Sequence, residues 1–421
     1  WVLRRRQEEF MDRDNKLLKC VLDAGELILK SGGEINRVED TMTRMCRAYG
    51  FLQIEVFAIS SFMFLTVTTE DERVLTQTRR VKGYDTNLQR VDRMNQLARQ
   101  VCAAPLEPES LEEKIREIQE LKVRSHGCMS VFYGEIAAVF AVFYGGGATE
   151  AAVAGAVGIC LYFLLHFLEN LFENGILRYA FCSGAGSLVL CLIREAGIDF
   201  MADAVIMGNI MLLIPGLIFT NSIRDMLNGD TMTGLLRVCE SLLRTVAIAA
   251  GFIFVMTLFG FSAEPGAGAV TGQRMLLQIF TAGAGAVGFA LIFQLRGGKL
   301  LLIGLGGALS WGIFLFMQSQ GHALSGLFSA VLAAAAVGEF AARRFKTPVL
   351  VMEVPLLIPL IPGGDLYRMM VSVMQKGIQQ SVEEIVWLVQ EVFLIGAGVI
   401  LMSAIASIFV KGVRQMKRGA G

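Results

Sequence analysis

From residue 128 onward the chain is a succession of apolar runs, and no other feature limits its fold so strongly. A bilayer core needs roughly 20 apolar residues per helix. Ten runs approach that measure: 128–145, 149–169, 177–193, 203–220, 241–260, 275–294, 299–317, 322–341, 348–363 and 388–410. Backbone amides in lipid must be satisfied within the protein, so these runs read as helices. A mean hydropathy of +0.55 agrees. Residues 1–127, less than a third of the chain, carry 21 of the 38 basic and 21 of the 38 acidic side chains. The fall in charge density near His126 marks a solvated domain giving way to a membrane domain.

Composition also excludes functions. Balanced charge gives no reason for a nucleic-acid partner. The eight cysteines show neither metal spacing nor a disulfide framework, and Cys128, Cys160, Cys182 and Cys191 are expected as small buried hydrophobes. No nucleophile–base constellation or zincin motif appears, so the chain is not expected to be an enzyme and no cofactor or metal is implied. Residue 1 is Trp, and the natural start is expected upstream. No signal peptide is visible, since the first residues are charged.

Lys and Arg in short loops set orientation. With residues 1–127 cytoplasmic, the inner loops hold Arg178, Arg224, Arg237, Arg296, Lys299, Arg343, Arg344 and Lys346, and the tail adds Lys411, Arg414, Lys417 and Arg418. The outer side holds Arg194, Arg274, Arg368 and Lys376. Both termini are therefore expected inside.

The apolar region repeats. LLIPGLIFTNSIRDM (212–226) aligns without a gap on LLIPLIPGGDLYRMM (356–370) at an offset of 144, which also lays the first five runs over the last five. A duplicated five-span unit must enter the membrane upside down the second time, the common plan of secondary transporters. The expected fold is a membrane protein with ten transmembrane helices in two inverted five-helix repeats, 128–262 and 263–421, behind an N-terminal cytoplasmic α+β domain, 1–127. Pro215 in the fourth run, and Pro355, Pro359 and Pro362 in the ninth, each remove a backbone donor and interrupt those spans.

In the N-terminal domain, apolar spacing predicts a helix over 14–31, stopped by Gly32 and Gly33, and a second ending at Gly50. Residues 51–81 read as two or three strands. A helix capped by Asp85, Thr86 or Asn87 follows, and Ser110 with Glu113 is read as a capping box.

Three segments carry a resemblance. AGELILKSGGEINRVEDTMTRMCRAYG (24–50), RVKGYDTNLQRVDRMNQLAR (80–99) and IPLIPGGDLYRMM (358–370) resemble motifs of the threonine/serine exporter family. The chain looks like a fusion of the two components that some bacteria encode separately. The resemblance implies proton-driven export of threonine and serine across the bacterial plasma membrane. Some two-component relatives are associated with dicarboxylate export. Arg37, Glu39 and Asp40 of RVEDTM are expected to form a structural salt-bridge set.

Ionisable residues inside apolar spans are functional candidates by default. Glu353, in MEVPLLIP, could pair with a substrate ammonium or carry a proton, and its repeat partner Asn209 would offer an uncharged contact. Glu135 is a second proton or cation candidate. Arg224 and Arg368, related by the repeat, could each hold a substrate carboxylate or anchor a helix end, and Asp365 could pair with Arg368. Asn221 matches Asp365 in the repeat, while Gly363 and Gly364 let the backbone turn or approach a ligand. Glu339, Glu391, His166 and His322 are expected at the interface. The glycine-rich runs 281–290 and 301–312 lack phosphate-loop context and read as close-packing helices.

The sequence therefore favours an exporter of small hydroxy amino acids, with a small solute, protons and the lipid bilayer as partners. Export of a small dicarboxylate and a non-transporting membrane scaffold or sensor are the alternatives, and a homo-oligomer stays open.

Overall fold

A computed structural model describes residues 2–172, 174–214, 216–227, 229–260 and 272–419. The boundary expected between the two repeats, at 262/263, lies outside them. The chain divides into two compact units, one of residues 1–123 with 345–351, the other of 124–344 with 352–421.

The first unit begins with helices α1 (Val2–Lys30) and α2 (Ile35–Ala48). Gly32, at φ +93°, and Gly33 make the turn between them, as the sequence predicts. Strands β1 (Ile54–Ile59), β2 (Phe62–Thr68) and β3 (Val74–Arg80) form an antiparallel sheet in the order β1-β2-β3. The period of two is clear in β2, where Met63, Leu65 and Val67 turn inward. They share a core with Leu18, Val21, Leu22, Met42 and Met45 of the first two helices. Helix α3 (Leu88–Ala103) is capped by Asn87, whose side chain accepts from Arg90 N at 3.1 Å. Helix α4 (Pro108–Gln119) starts at a proline, so Ser110 lies inside its first turn and the expected Ser110–Glu113 capping box does not form.

The RVEDTM residues also differ from expectation. Glu39 accepts the Ala58 amide of β1 at 2.8 Å, Asp40 pairs with Arg44 one turn on at 2.8 Å, and Arg37 joins neither. Glu39 thus ties helix to sheet, and no ion-pair set links the three residues. Salt bridges brace α1 on two sides: to β3 and its entry through Arg79 with Asp23 and Glu26 and Arg73 with Asp14 at 3.1 Å, and to α4 and its start through Arg13–Glu107, Lys16–Glu109 and Lys19–Glu112.

The second unit is all helical. It contains α5 (His126–Phe143), α6 (Ala148–Leu171), α7 (Gly175–Glu195), α8 (Ala202–Leu213), α9 (Gly216–Leu227) and α10 (Thr231–Leu258). Then come α11 (Gly272–Ile292), α12 (Lys299–Ser319), α13 (Ala323–Phe345), α14 (Val349–Leu357), α15 (Gly363–Lys376) and α16 (Val382–Gly419). The same order occurs twice: three long helices, a short pair, a long helix.

Among the described residues eight helices are long and apolar enough to cross a membrane, and the bent pair α14–α15 makes a ninth. A tenth span, expected at 203–220, is not shown among the described residues. That stretch folds as two short helices, α8 and α9, and only the twelve residues of α8 form an uninterrupted apolar helix there. Large apolar side chains such as Phe163, Phe167, Phe254, Phe280, Leu301 and Phe316 point outward, as a lipid-facing surface requires. Cys182 and Cys191 are buried as expected, but Cys128 and Cys160 sit on that outer surface. Mean hydropathy alone does not tell the two sides of a lipid-facing helix apart.

Small residues bring the helices together. A Cβ on Gly158 of α6 would lie 2.8 Å from the Tyr133 carbonyl oxygen of α5, and one on Gly134 of α5 would lie 2.9 Å from the Gly155 carbonyl oxygen. Both neighbours are backbone and cannot swing aside. Gly158→Leu is therefore expected to force α5 and α6 apart and destabilise the protein by about 1–3 kcal/mol or more. A lowered melting temperature in detergent checks this, and Phe167→Leu, at an outward-facing position of the same helix, serves as the control.

Candidate functional site

The two interrupted stretches define the site. Helix α14 contains Pro355, which cannot donate to the preceding turn, and a single 3-10 turn at Ile358–Leu360 follows. Pro362 then precedes α15, and the chain bends by 50° between the two halves. Residues 351–364 are buried throughout. Carbonyls freed by Pro355, Pro359 and Pro362 therefore face protein, the only place where broken backbone is tolerated at membrane depth. Pro215, expected to break the first stretch, lies outside the described residues. Asn221 lies on α9, and its side chain is likewise outside the description.

Glu353 and Arg224, 129 residues apart in sequence, meet inside the bundle. Arg224 Nη1 donates to Glu353 Oε2 at 3.0 Å, with the two side chains 12% and 2% exposed. Neither is a headgroup anchor. Next to this pair, Gly338 of α13 lies against the Glu353 backbone, where an added Cβ would stand 3.3 Å from Glu353 Cβ.

Arg368 on α15 is held in a related way. Its Nη2 lies 3.4 Å from Asp203 Oδ2 at the start of α8, nearer than Asp365 on its own helix at 4.0 Å. Sequence spacing gave Asp365 as the partner, and the structure gives Asp203 first. This pair is more open, Arg368 being 42% and Asp203 11% exposed. Gly363 and Gly364 pack α15 onto α8. A Cβ on Gly363 would lie 3.1 Å from Met211 Sδ, and one on Gly364 would lie 2.8 Å from the Tyr144 hydroxyl. The second half of each broken stretch thus carries an arginine that reaches an acid on the first half of the other.

The remaining candidates are separate features. Asn209 is fully buried on α8. Its Nδ2 donates to the Val205 carbonyl at 2.9 Å, while Oδ1 has no hydrogen-bond partner. Glu135 on α5 faces Gly288 of α11, where any side chain would collide with its carboxylate, and its buried Oε2 has no partner. Glu391 is buried, with Oε2 unpartnered, on the inward face of α16 with Leu388 and Val392. Glu339 pairs with Arg343 one turn on at 3.2 Å. The sequence reading passed over Asp203 and also Asp225, which takes Arg237 at 2.9 Å. The only signal for Asp203 was an acid near the start of an apolar run. Among the described residues no group of three His, Cys, Asp or Glu could hold a metal ion.

Charged pairs held inside an apolar bundle, on helices broken at membrane depth, define a multi-pass membrane transporter. The comparisons with known proteins agree. The threonine/serine exporter family model matches residues 19–259, and a second model described as "Threonine/Serine exporter, ThrE" matches residues 278–405. The chain belongs to the threonine/serine exporter family. It is similar to a threonine/serine exporter of Corynebacterium glutamicum, 24% identical over 400 residues that span 91% of this chain and 81% of that protein. It is also 22% identical to a "probable succinate transporter subunit" of Escherichia coli, over 59% of this chain and 97% of that one. No solved structure matches the chain.

The Arg224–Glu353 pair makes a direct thermodynamic prediction. Removing one partner leaves an uncompensated buried charge, so Arg224→Gln and Glu353→Gln should each cost about 3–5 kcal/mol of stability. The double variant should cost clearly less than the two losses added together. Thermal unfolding of all four proteins in detergent checks the cycle.

Proposed function

We propose that the protein exports threonine, serine or closely similar small hydroxy amino acids, coupled to protons, across a bacterial plasma membrane. On this reading the N-terminal unit and the basic tail are cytoplasmic, and the two helix sets are inverted repeats. The observation that carries the reading is the Arg224–Glu353 ion pair between broken helices. An amino acid at neutral pH bears one ammonium and one carboxylate. It can enter such a pair by giving its carboxylate to Arg224 and its ammonium to Glu353, and the net charge of the site stays zero. No bare charge is left in low dielectric at either stage. Asn209 adds an uncharged polar group in the first broken stretch, and Glu135 is the candidate for carrying the proton separately.

A dicarboxylate fits less well. The two arginines would suit a dianion, and one relative is named for succinate. Yet each arginine already holds an acid, so a dianion would bring two negative charges to a site that has no excess positive charge.

Proteoliposomes loaded with labelled threonine test the reading. Efflux should rise with an imposed proton gradient, collapse with a protonophore and resist competition by succinate. Glu353→Gln should lower the flux by at least tenfold, the loss expected when a charge-assisted contact of about 1.4 kcal/mol or more is removed. Gradient-independent leakage, or movement of succinate in place of threonine, would overturn the assignment.

A further inference from the structure

The segment between α13 and α14 belongs to the first compact unit, which also holds α3. Two features shape it. Lys346 has φ +53°, a left-handed conformation that a lysine adopts only when its surroundings hold it there. Thr347 precedes Pro348, which keeps it out of the helical region, and α14 starts at the next residue, Val349. Inside that turn the Thr347 hydroxyl donates to Asp92 Oδ1 of α3 at 2.6 Å. Thr347 is 4% exposed and Asp92 8%. An aspartate is seldom buried so deeply without partners, and a hydroxyl–carboxylate bond of this length is among the stronger kinds.

Helix α14 has little hydrogen-bond ladder of its own, although the bundle packs around it and Gly338 lies against Glu353. The helix is nine residues long, contains Pro355 and runs into a 3-10 turn, so its far end is interrupted. Glu353 lies one helical turn beyond Val349. A short helix broken at one end takes its placement from the other end, and that end is the turn that Asp92 holds.

We propose that Asp92, acting through Thr347, is a positioning residue: it fixes the start of α14 and so holds Glu353 in place against Arg224. The N-terminal unit then serves transport by clamping the helix that carries the acid, without itself touching cargo. The transport consequence rests on the reading of Glu353 and Arg224 as the cargo site. The clamp itself does not.

The full-length protein in detergent, probed by hydrogen–deuterium exchange, tests the clamp with no substrate present. Asp92→Ala, Thr347→Val and the double variant should each speed exchange of the amides in 349–357 by about tenfold, the factor one such buried bond carries. Amides of β2, in the core of the same unit, should keep wild-type protection. Thr347→Ser, which retains the hydroxyl, should restore slow exchange. In proteoliposomes the same three variants should show equal losses of maximal threonine flux, not multiplied in the double, and the serine variant should recover it. Unchanged exchange over 349–357 would overturn the proposal, as would faster exchange with undiminished flux, or losses in the double that multiply. If the wild type moves no threonine, the cargo reading falls, and the exchange results still decide the clamp. A variant that fails to fold would lose β2 protection and be recognised by it, and Thr347→Ser against Thr347→Val then carries the comparison.

Discussion

A guanidinium or a carboxylate alone in hydrocarbon is costly, by several kcal/mol even on the most lenient insertion measures. Most of what is distinctive in this membrane unit follows from that cost. Arg224 and Glu353 are tolerable inside the bundle because each is the other's counter-ion. To bring them together, α14 presents Glu353 where an ordinary helix would present an apolar residue, and the backbone breaks just beyond it. Pro355 and the 3-10 turn supply the break. Complete burial of residues 351–364 keeps the exposed carbonyls away from lipid. Ion pair and broken helix therefore share one buried segment.

The two helix sets share an order of elements but not a chemistry. At the offset of 144 the arginines are retained as Arg224 and Arg368, while Glu353 falls on Asn209. A strict copy would leave Arg368 facing an amide. The structure gives it Asp203 instead, six residues before Asn209 on the same helix. The crossing pattern survives, second half to opposite first half. The acid has moved toward the end of its helix, and the pair is correspondingly more open than its buried counterpart. One arginine–acid pair is sealed and one is accessible, and the same fold can hold both because the acid's position, not the arginine's, differs.

Much of this was legible in the sequence for a simple reason. A membrane span needs a long uninterrupted apolar run, so α5, α6, α7 and α10 to α13 fall within about ten residues of their expected limits at every end. At 203–220 the described residues form two short helices, α8 and α9, a break that was not legible because hydropathy sums over a window and does not register where a helix stops. In the N-terminal unit the three strands and the Asn87 cap follow local rules and were readable. The Ser110 capping box was not, because Pro108 competes as a helix start and wins. Partnerships across long sequence separations were out of reach. Nothing in the spacing of residues joins 224 to 353, 203 to 368 or 92 to 347. The burial of Glu391 was not legible either, because the side of α16 that it occupies decides it.

Charge balance gives the strongest physical reason for preferring one cargo. Before cargo arrives, Arg224 and Glu353 sum to zero. A zwitterion keeps that sum at zero and replaces one ion pair with two, so electrostatics opposes neither its entry nor its release. A dianion would leave the site negative unless Glu353 were vacated or neutralised first. A monoanion would face the same obstacle at half the charge. If the pair is the cargo site, as proposed, its internal salt bridge competes with every ligand, and only a ligand carrying both signs satisfies both residues that it separates. On the proposed reading the hydroxyl of threonine or serine is a secondary feature. The pair, on that reading, disfavours net-charged solutes by charge balance, and discrimination among neutral amino acids is left to uncharged contacts and shape.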